Sequence, residues 1–397
     1  MLKRVFDFFG RCILIIKNIL QDPSAELTWI YSKYCRVKKN RIVFSSYAGQ
    51  GYVGNPKYIC DEILKQGLNW ELVWLCKDPD AEVPRGIRVV EYGTNSARRM
   101  LASAHAVIDN VRSSARPPKK KEQIYIQTWH GGIGFKNCEQ AVEDKLGEEY
   151  VRLAKEDGQN CDAIVSNCSL LSDLYRKYFW LNPDTEILEY GLPRNDPLFD
   201  EALVREKYES VRRTYGLAQD QKIILYMPTF RADHSMDAYA IDYEGIISAF
   251  EQRFGEKFAI VVRLHPNVQK QADMIPYSEK IVNGTKYADV QELYMAADYL
   301  ITDYSSAAFD FALLNRPVFL CMLDFEAYAA DRGVNHVFAM CPFPHIYSNR
   351  EFISAIENFS EEDYQTAMKE FRKVWQPFDD GHAAERTVNW LKEKMKK

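Results

Sequence analysis

Residues 297–320, ADYLITDYSSAAFDFALLNRPVFL, read as one complete strand–helix–strand unit. Such a unit commits the chain around it to a parallel sheet covered by helices. Residues 299–302 form an apolar, β-branched run of strand type, Asp303 and Tyr304 make a tight connection, and Ser305-Ser306 stands where a helix N-cap belongs. The following AAFDFALL is expected to be helical, Asn315-Arg316-Pro317 ends it, and residues 318–321 supply the next buried strand. A hydroxyl-rich turn at the carboxyl end of a parallel strand is where open α/β sheets take their ligands. The first N–H groups of a helix lack intrahelical partners and carry the positive end of its dipole, so a phosphate is a natural guest there. An ordinary helix cap would use the same residues.

The same alternation runs through the chain from residue 41. RIVFSSY, ELVWLC, IRVVEY, AHAVIDN, QIYIQTW, AIVSNC, ILEYG, KIILYMPTF and FAIVVRLHP are strand candidates separated by helical stretches, which predicts an α/β fold with parallel sheets. At 397 residues the chain exceeds the size at which one core keeps growing, so two domains are expected. A long charged helix around residues 203–215 separates two strand series. The expected division is 1–40 as an amphipathic segment, 41–205 and 206–375 as two Rossmann-like domains, and 376–397 as a segment whose helix crosses back.

Composition narrows the function classes. Hydrophobic residues at 47% and charged residues at 27% describe a globular chain. Nine cysteines are scattered with no C-x-x-C pair, which predicts reduced thiols and no structural zinc. The net charge of −5 hides an asymmetry: residues 1–121 hold 21 Lys and Arg against 11 Asp and Glu, leaving 30 against 45 in the remainder. Nucleic acid is not expected as a partner; an anionic membrane surface facing the basic end is. Residues 2–20 place Arg4, Asp7, Arg11 and Asn18 on one helical face and Val5, Phe9, Cys12, Ile16 and Ile19 largely opposite. Their apolar run falls far short of the roughly 20 residues needed to span a bilayer, and no small-residue cleavage site follows. An interfacial amphipathic helix is expected, the alternative being a helix packed on the protein body. Arg36, Lys38, Lys39 and Arg41 are expected to extend this basic surface. The loop VRSSARPPKKKE reads as solvated charge, or as a hold for a polyanionic acceptor or lipid headgroups.

Further candidates for chemistry stand at the ends of other strands. Trp129-His130-Gly131-Gly132-Ile133-Gly134 puts a histidine beside glycines that allow a ligand close to the backbone, as a general base next to a phosphate requires; a bonded histidine in a glycine turn has the same sequence. Arg263-Leu264-His265-Pro266 delivers a permanent cation and an imidazole on the same side of a strand. Thr229 and Arg231 in MPTFRAD and Arg194 in GLPRNDPLF share that location. Together the five stretches fit a cleft between two Rossmann-like domains, lined for a diphosphate.

FSSYAGQGYVGNPKY, IYIQTWHG, SNCSLLSDLYRKYF, GLPRND, YMPTFR, RLHP and ITDYSSAAFDFALLNRPV occur here in order between residues 41 and 386. This ordered set closely resembles the CDP-glycerol glycerophosphotransferase family, the teichoic acid primases and polymerases of cell wall synthesis. The resemblance implies a GT-B architecture with an acceptor-side N-terminal domain, a CDP-donor C-terminal domain, and an amphipathic anchor on the cytoplasmic face of the membrane. It implies transfer of glycerol phosphate from CDP-glycerol, or of a related polyol from CDP-ribitol, to a hydroxyl of a lipid-linked or polymeric acceptor, with release of CMP.

On the family pattern His130 and His265 are the functional histidines. Gly131, Gly132, Ile133, Gly134, Arg194, Thr229, Arg231, Arg263, Leu264, Ser305, Ser306 and Asp310 are expected to contact the donor. No cofactor is implied. No carboxylate pair of metal-ligand type accompanies these residues, so no obligatory metal is expected, Asp303 and Asp310 being the acids that keep one open. The family motif HGTPLK reads HGGIGFK here; the histidine, the first glycine and the later lysine, Lys136, remain. A nucleotide-sugar GT-B glycosyltransferase and an inactive membrane-docked interaction protein are the alternatives, and oligomeric state is left open.

Overall fold

The computed structural model describes residues 23–396 apart from 114–115, 232–235, 237–238, 266–267 and 269–271; the amphipathic stretch 2–20 lies outside these. Two sheets organise the chain. The first contains β1 (Arg41–Ser45), β2 (Glu71–Cys76), β3 (Ile87–Glu91), β4 (Ala106–Asp109), β5 (Ile124–Gln127), β6 (Ala163–Ser166) and β7 (Glu186–Glu189), in the order β3-β2-β1-β4-β5-β6-β7. The second contains β8 (Gln221–Met227), β9 (Lys257–Val262), β10 (Ile281–Asn283), β11 (Tyr299–Thr302), β12 (Val318–Cys321) and β13 (His345–Ile346), in the order β10-β9-β8-β11-β12-β13. All pairings are parallel. Both sheets reverse direction beside their first strand, between β1 and β4 and between β8 and β11. A reversal of this kind leaves a crevice at the carboxyl ends of the strands.

Helices cover both sheets: α1 (Pro23–Tyr34), α2 (Gly54–Lys65), α3 (Asn95–Ser103), α4 (Glu148–Asn160) and α5 (Ser169–Tyr178) with the first, and α6 (Glu201–Thr214), α7 (Tyr243–Phe254), α8 (Val290–Ala296), α9 (Ala307–Ala312), α10 (Phe325–Arg332), α11 (His336–Met340), α12 (Asn349–Glu357) and α13 (Glu361–Trp375) with the second. The last helix, α14 (Ala383–Met395), returns to the first half and packs on α2, while α6 spans residue 205 and packs on α8. Every residue of β1, β4, β6 and β12 is buried, which is why their middles are apolar on both faces and polar residues such as Arg41, Asp109 and Ser166 stand only at strand ends. Helix starts follow side-chain chemistry: Asp200, Asp242, Ser348 and Ser360 accept the N–H groups of Leu203, Gly245, Glu351 and Asp363. α7 stops where Gly255 enters the left-handed region at φ 70°.

Several expectations are corrected. β10 and β13, three and two residues long, are too short to carry a readable alternation. α9 closes at Ala312, two residues early, because Asn315 donates its N–H to the Ala312 carbonyl and turns left-handed at φ 57° ahead of Pro317. Arg41 does not extend a basic surface. It opens a buried strand and is 4% exposed, its guanidinium donating to Ser103 Oγ at 2.5 Å and Glu71 Oε1 at 2.7 Å. The basic loop is also largely neutralised from within: Arg112 pairs with Glu139 and Asp157, Arg116 with Asp157, Lys119 with Asp162, and Lys120 donates to the carbonyls of Cys35 and Ala102.

The segment between α13 and α14 runs back beneath the first sheet's carboxyl ends. There Asp379 Oδ1 accepts the Leu192 N–H at 2.8 Å and Asn195 Nδ2 at 3.1 Å. Burial pushes this carboxyl from 3.8 up to about 7. The folded state therefore binds a proton that the unfolded state has released, and stability falls as pH rises from 3.8 to about 7. Asp379→Asn, which keeps the accepting oxygen and removes the ionisation, is expected to raise the thermal midpoint at pH 8 and to raise it less at pH 5.

Candidate active site

The loops at both switch points face one another. In the first half, Asn110, just beyond β4, ties three neighbouring segments together. Its side-chain Oδ1 accepts the Tyr47 N–H at 2.7 Å, its Nδ2 donates to Ser46 Oγ at 3.1 Å, and its carbonyl lies 3.1 Å from His130 Nδ1. A carbonyl can only accept, so Nδ1 carries the proton and Nε2 keeps its lone pair. Burial, reinforced by the charges of Lys136, Arg194 and Arg112, outweighs the opposing Asn110 bond and pushes the imidazole down to about 4. His130 is therefore neutral at pH 7, with Nε2 unprotonated.

The backbone at His130 is fixed as firmly as its ring. Its carbonyl accepts Arg194 Nη1 at 2.7 Å and the Tyr47 hydroxyl at 3.4 Å, and Asn55 Nδ2 donates to the carbonyls of Thr128 and Trp129, each at 3.1 Å. Arg194 in turn forms a buried ion pair with Asp310 of α9, while Asn195 Nδ2 donates to the same carboxylate at 3.3 Å. The pair joins the first half to the Ser305-Ser306 turn of the second.

The glycines after His130 make a second connection. A Cβ at Gly131 would sit 2.7 Å from Ser306 Oγ, and one at Gly134 would lie 3.5 Å from the Ser306 N and Cβ. A side chain at 131 would force the Ser306 hydroxyl out of its present rotamer, so glycine there lets the histidine loop and the hydroxyl turn meet as they stand. One at Gly132 would lie 3.0 Å from Asn167 Nδ2. Beyond Gly134 the chain crosses over: Asn335 donates to the carbonyls of Gly134 and Phe135, each at 2.7 Å, and Lys136 bridges to Val334. The Phe135 ring enters the aromatic core of the second half, 5.1 Å from Phe309 and 5.8 Å from Phe338 between centroids.

In the second half, Asp303 accepts the Thr229 N–H at 2.9 Å and Thr229 Oγ1 at 3.0 Å. Arg231 uses every N–H it has: Nε and Nη2 on Asp324, Nη2 also on Asp303, and Nη1 on the Thr229 carbonyl and hydroxyl. Arg263 differs. It donates from Nη1 to the Tyr287 carbonyl at 2.5 Å, and among the described residues no carboxylate pairs with it. His265 is exposed beside Phe230, ring centroids 5.6 Å apart. Partial desolvation and then Lys136 hold its pKa below the usual value, so Lys136 acts electrostatically on both histidines. Ser305 Oγ accepts the Ala307 N–H at 3.1 Å, capping α9 in place of Ser306.

The fourteen expected residues thus divide by what their atoms have left to offer. Gly131 and Gly134 lie against Ser306 of the Ser305-Ser306 turn with His130 next to them, Gly132 lies against Asn167, His265 shares the field of Lys136 with His130, and Arg263 is held by the Tyr287 carbonyl. Arg194, Asp310, Thr229 and Arg231 are taken up in bonds to protein groups. Ile133 is fully buried and Leu264 2% exposed, so each has only backbone to present; the Leu264 N–H donates to Thr285 Oγ1 at 3.2 Å. Asn110, Tyr47, Asn55 and Asn335 went unnoticed in the sequence. Asn110 alone had a usable signal, as the first residue after the strand at the reversal point. Among the described residues no group of three or more His, Cys, Asp or Glu side chains is placed to hold a metal.

Residues 28–393 match the family model described as CDP-Glycerol:Poly(glycerophosphate) glycerophosphotransferase. The chain belongs to this family. It is 30% identical over 336 residues to a teichoic acid poly(glycerol phosphate) polymerase of Staphylococcus epidermidis, covering 82% of this chain and 46% of that protein. It is 28% identical to a teichoic acid glycerol-phosphate transferase of Staphylococcus aureus, covering 88% of this chain and 92% of that one. The wall teichoic acid polymerase TagF superposes with a TM-score of 0.85 at 26% identity over 98% of both chains, and a TagF variant soaked with CDPG gives 0.84. The chain spans about half the length of the first curated relatives it matches, 46% and 51%. The two-sheet arrangement is that of GT-B enzymes, as the family resemblance implied.

The Arg231 cluster is scaffolding within this family fold, and its removal leaves two carboxylates without their cation. Arg231→Gln is expected to destabilise the chain by about 3 kcal/mol or more, read as a lowered urea midpoint with unchanged slope.

Proposed function

We propose that this chain transfers glycerol phosphate from CDP-glycerol to a hydroxyl of a membrane-linked acceptor in teichoic-acid-like polymer synthesis, releasing CMP. The observation that carries the reading is the close approach of Gly131 to Ser306. It brings the residue next to His130, whose ring is oriented by the Asn110 carbonyl, against the hydroxyl turn of the opposite half, which supports reading the two as one site. Membership of the family and likeness to a TagF variant soaked with CDPG support the choice of donor.

In this reading the acceptor hydroxyl attacks the β-phosphorus and its proton passes to His130 Nε2. The bond from the β-phosphorus to the bridging oxygen breaks, and that oxygen leaves on CMP. Arg263, His265 and the Ser305-Ser306 turn offer donors to the phosphoryl and leaving oxygens. Fixed donors aimed at developing charge supply most of the catalysis in such transfers. Arg194 and Asp310 hold His130, while Arg231 and Thr229 hold the Asp303 turn, so that neither group moves during reaction.

The reading places the enzyme on the cytoplasmic membrane face. Support comes from α1, which buries Thr28 and Ser32 against the body and presents Leu27, Tyr31 and Tyr34 at 58%, 42% and 73% exposure. These positions repeat on one helical face with Lys33 beside them, as an interfacial helix requires. No helix among the described residues is long and apolar enough to cross a membrane.

A donor screen with CDP-glycerol, CDP-ribitol and UDP-sugars in the presence of lipid acceptor, reading nucleotide release, tests the function. CMP from a CDP-polyol is the expected product, and release of UDP alone would overturn the reading. His130→Ala is expected to lower turnover by about a hundredfold or more while donor binding survives. Because the base has to be neutral, wild-type turnover should hold down to about pH 5 and fail as pH drops towards the His130 value of about 4.

A further inference from the structure

β5 ends at Gln127, and two residues later Trp129 adopts φ 51°, a left-handed conformation that is strained for a bulky residue. This reversal turns the chain out of the sheet and brings the His130 ring between the Asn110 carbonyl and the Trp129 indole. Its persistence requires support from outside the strand. Two routes supply it, and both begin at the same buried carboxylate, Asp157 of α4.

The first route is a chain of directed hydrogen bonds. The Trp129 N–H donates to Gln127 Oε1 at 2.9 Å, Gln127 Nε2 donates to the Tyr125 hydroxyl at 2.7 Å, and that hydroxyl donates to Asp157 Oδ1 at 3.1 Å. The second runs through Arg112, whose Nη1 donates to Asp157 Oδ2 at 2.9 Å and whose Nε donates to Glu139 at 2.9 Å. So clamped, the guanidinium lies 5.6 Å from the Trp129 ring and 5.4 Å from the Phe179 ring. The indole meets Phe179 edge-on at 4.9 Å and rests against the His130 imidazole at 4.3 Å between centroids. Arg112, Asp157 and Glu139 side chains are 3%, 2% and 3% exposed. With Arg116, which also pairs with Asp157 and lies over the Tyr125 ring, this makes a cluster of two cations and two carboxylates that is costly to bury. Here it holds one residue by both its amide and its ring.

We propose that Asp157 is a positioning residue for His130, setting the imidazole through Trp129 by way of Gln127 on one side and Arg112 on the other. The proposal rests on the reading of His130 as the base. Besides Trp129, the imidazole is faced by the Asn110 carbonyl, the Tyr47 ring at 6.2 Å, and the cations Lys136, Arg194 and Arg112. The Trp129 ring touches the imidazole by packing and not by a hydrogen bond, so loosening it lets the ring turn away from Asn110.

Asp157→Asn and Gln127→Leu, made in the full chain, test this. Gln127→Leu cuts the amide route without changing any charge. Turnover with CDP-glycerol is expected to fall about tenfold to a hundredfold in Asp157→Asn and about threefold or more in Gln127→Leu, with KM for the donor within about twofold. Trp129→Phe, which keeps a ring at the contact, is expected to retain more activity than Trp129→Ala. NMR titration of His130, assigned by its loss in His130→Ala, should show the Gln127→Leu midpoint raised by about one pH unit as the ring gains solvent. Folded variants with wild-type turnover and an unmoved His130 titration would overturn the proposal. If Asp157→Asn does not fold, Gln127→Leu and the Trp129 pair decide it. The titration needs no substrate, so a failure of the base assignment, seen as an active His130→Ala, is read separately from a failure of positioning.

Discussion

The ion pair between Arg194 and Asp310 is the contact on which the cleft depends. It is buried, and it joins a loop after β7 to the helix that follows the Ser305-Ser306 turn. Removing two charges from water is repaid only when both partners and their remaining hydrogen bonds are in place. Here the second Arg194 nitrogen takes the His130 carbonyl and the second Asp310 oxygen takes Asn195. Either half alone would leave a charge stranded, so the stable state is the one that aligns histidine and serines.

A division of labour among the cations follows. A cleft for a diphosphate needs positive potential, yet most of the arginines around this one are already matched by carboxylates. Arg194 has Asp310, Arg231 has Asp303 and Asp324, and Arg112 has Glu139 and Asp157. These pairs are rigid and hold loops in place. On the proposed function, potential for an anion would come from Arg263, which among the described residues has no carboxylate partner to be pulled from. Preorganisation is thus obtained from residues that touch no ligand.

Much of the architecture was legible because it is local. Fully buried strands have to be continuous apolar runs, and parallel connections require helices, so the strand series and the reversal-point turns could be read directly. What could not be read was the fate of each charge. Arg41, Arg112 and Arg116 look like surface residues in a basic stretch, and only the tertiary fold brings Glu71, Glu139 and Asp157 to meet them. The same holds for Arg231: its location at a strand end was visible, but the carboxylates at 303 and 324 that occupy it lie far along the chain. Asn110 and Asn335 escaped notice because a single asparagine in a loop has no periodicity, although each fixes a backbone segment of the site.

The crossing of residues 134–136 has a mechanical result. With Phe135 seated among Phe309, Phe338 and Phe343, and α14 returning to α2, the two lobes are sewn together at separate places in addition to the linker before β8. Gaping of the whole cleft would have to draw an aromatic ring out of a foreign core. On the proposed function, donor and nucleotide would have to pass without the lobes parting, and the two halves behave less like a jaw than like a riveted frame.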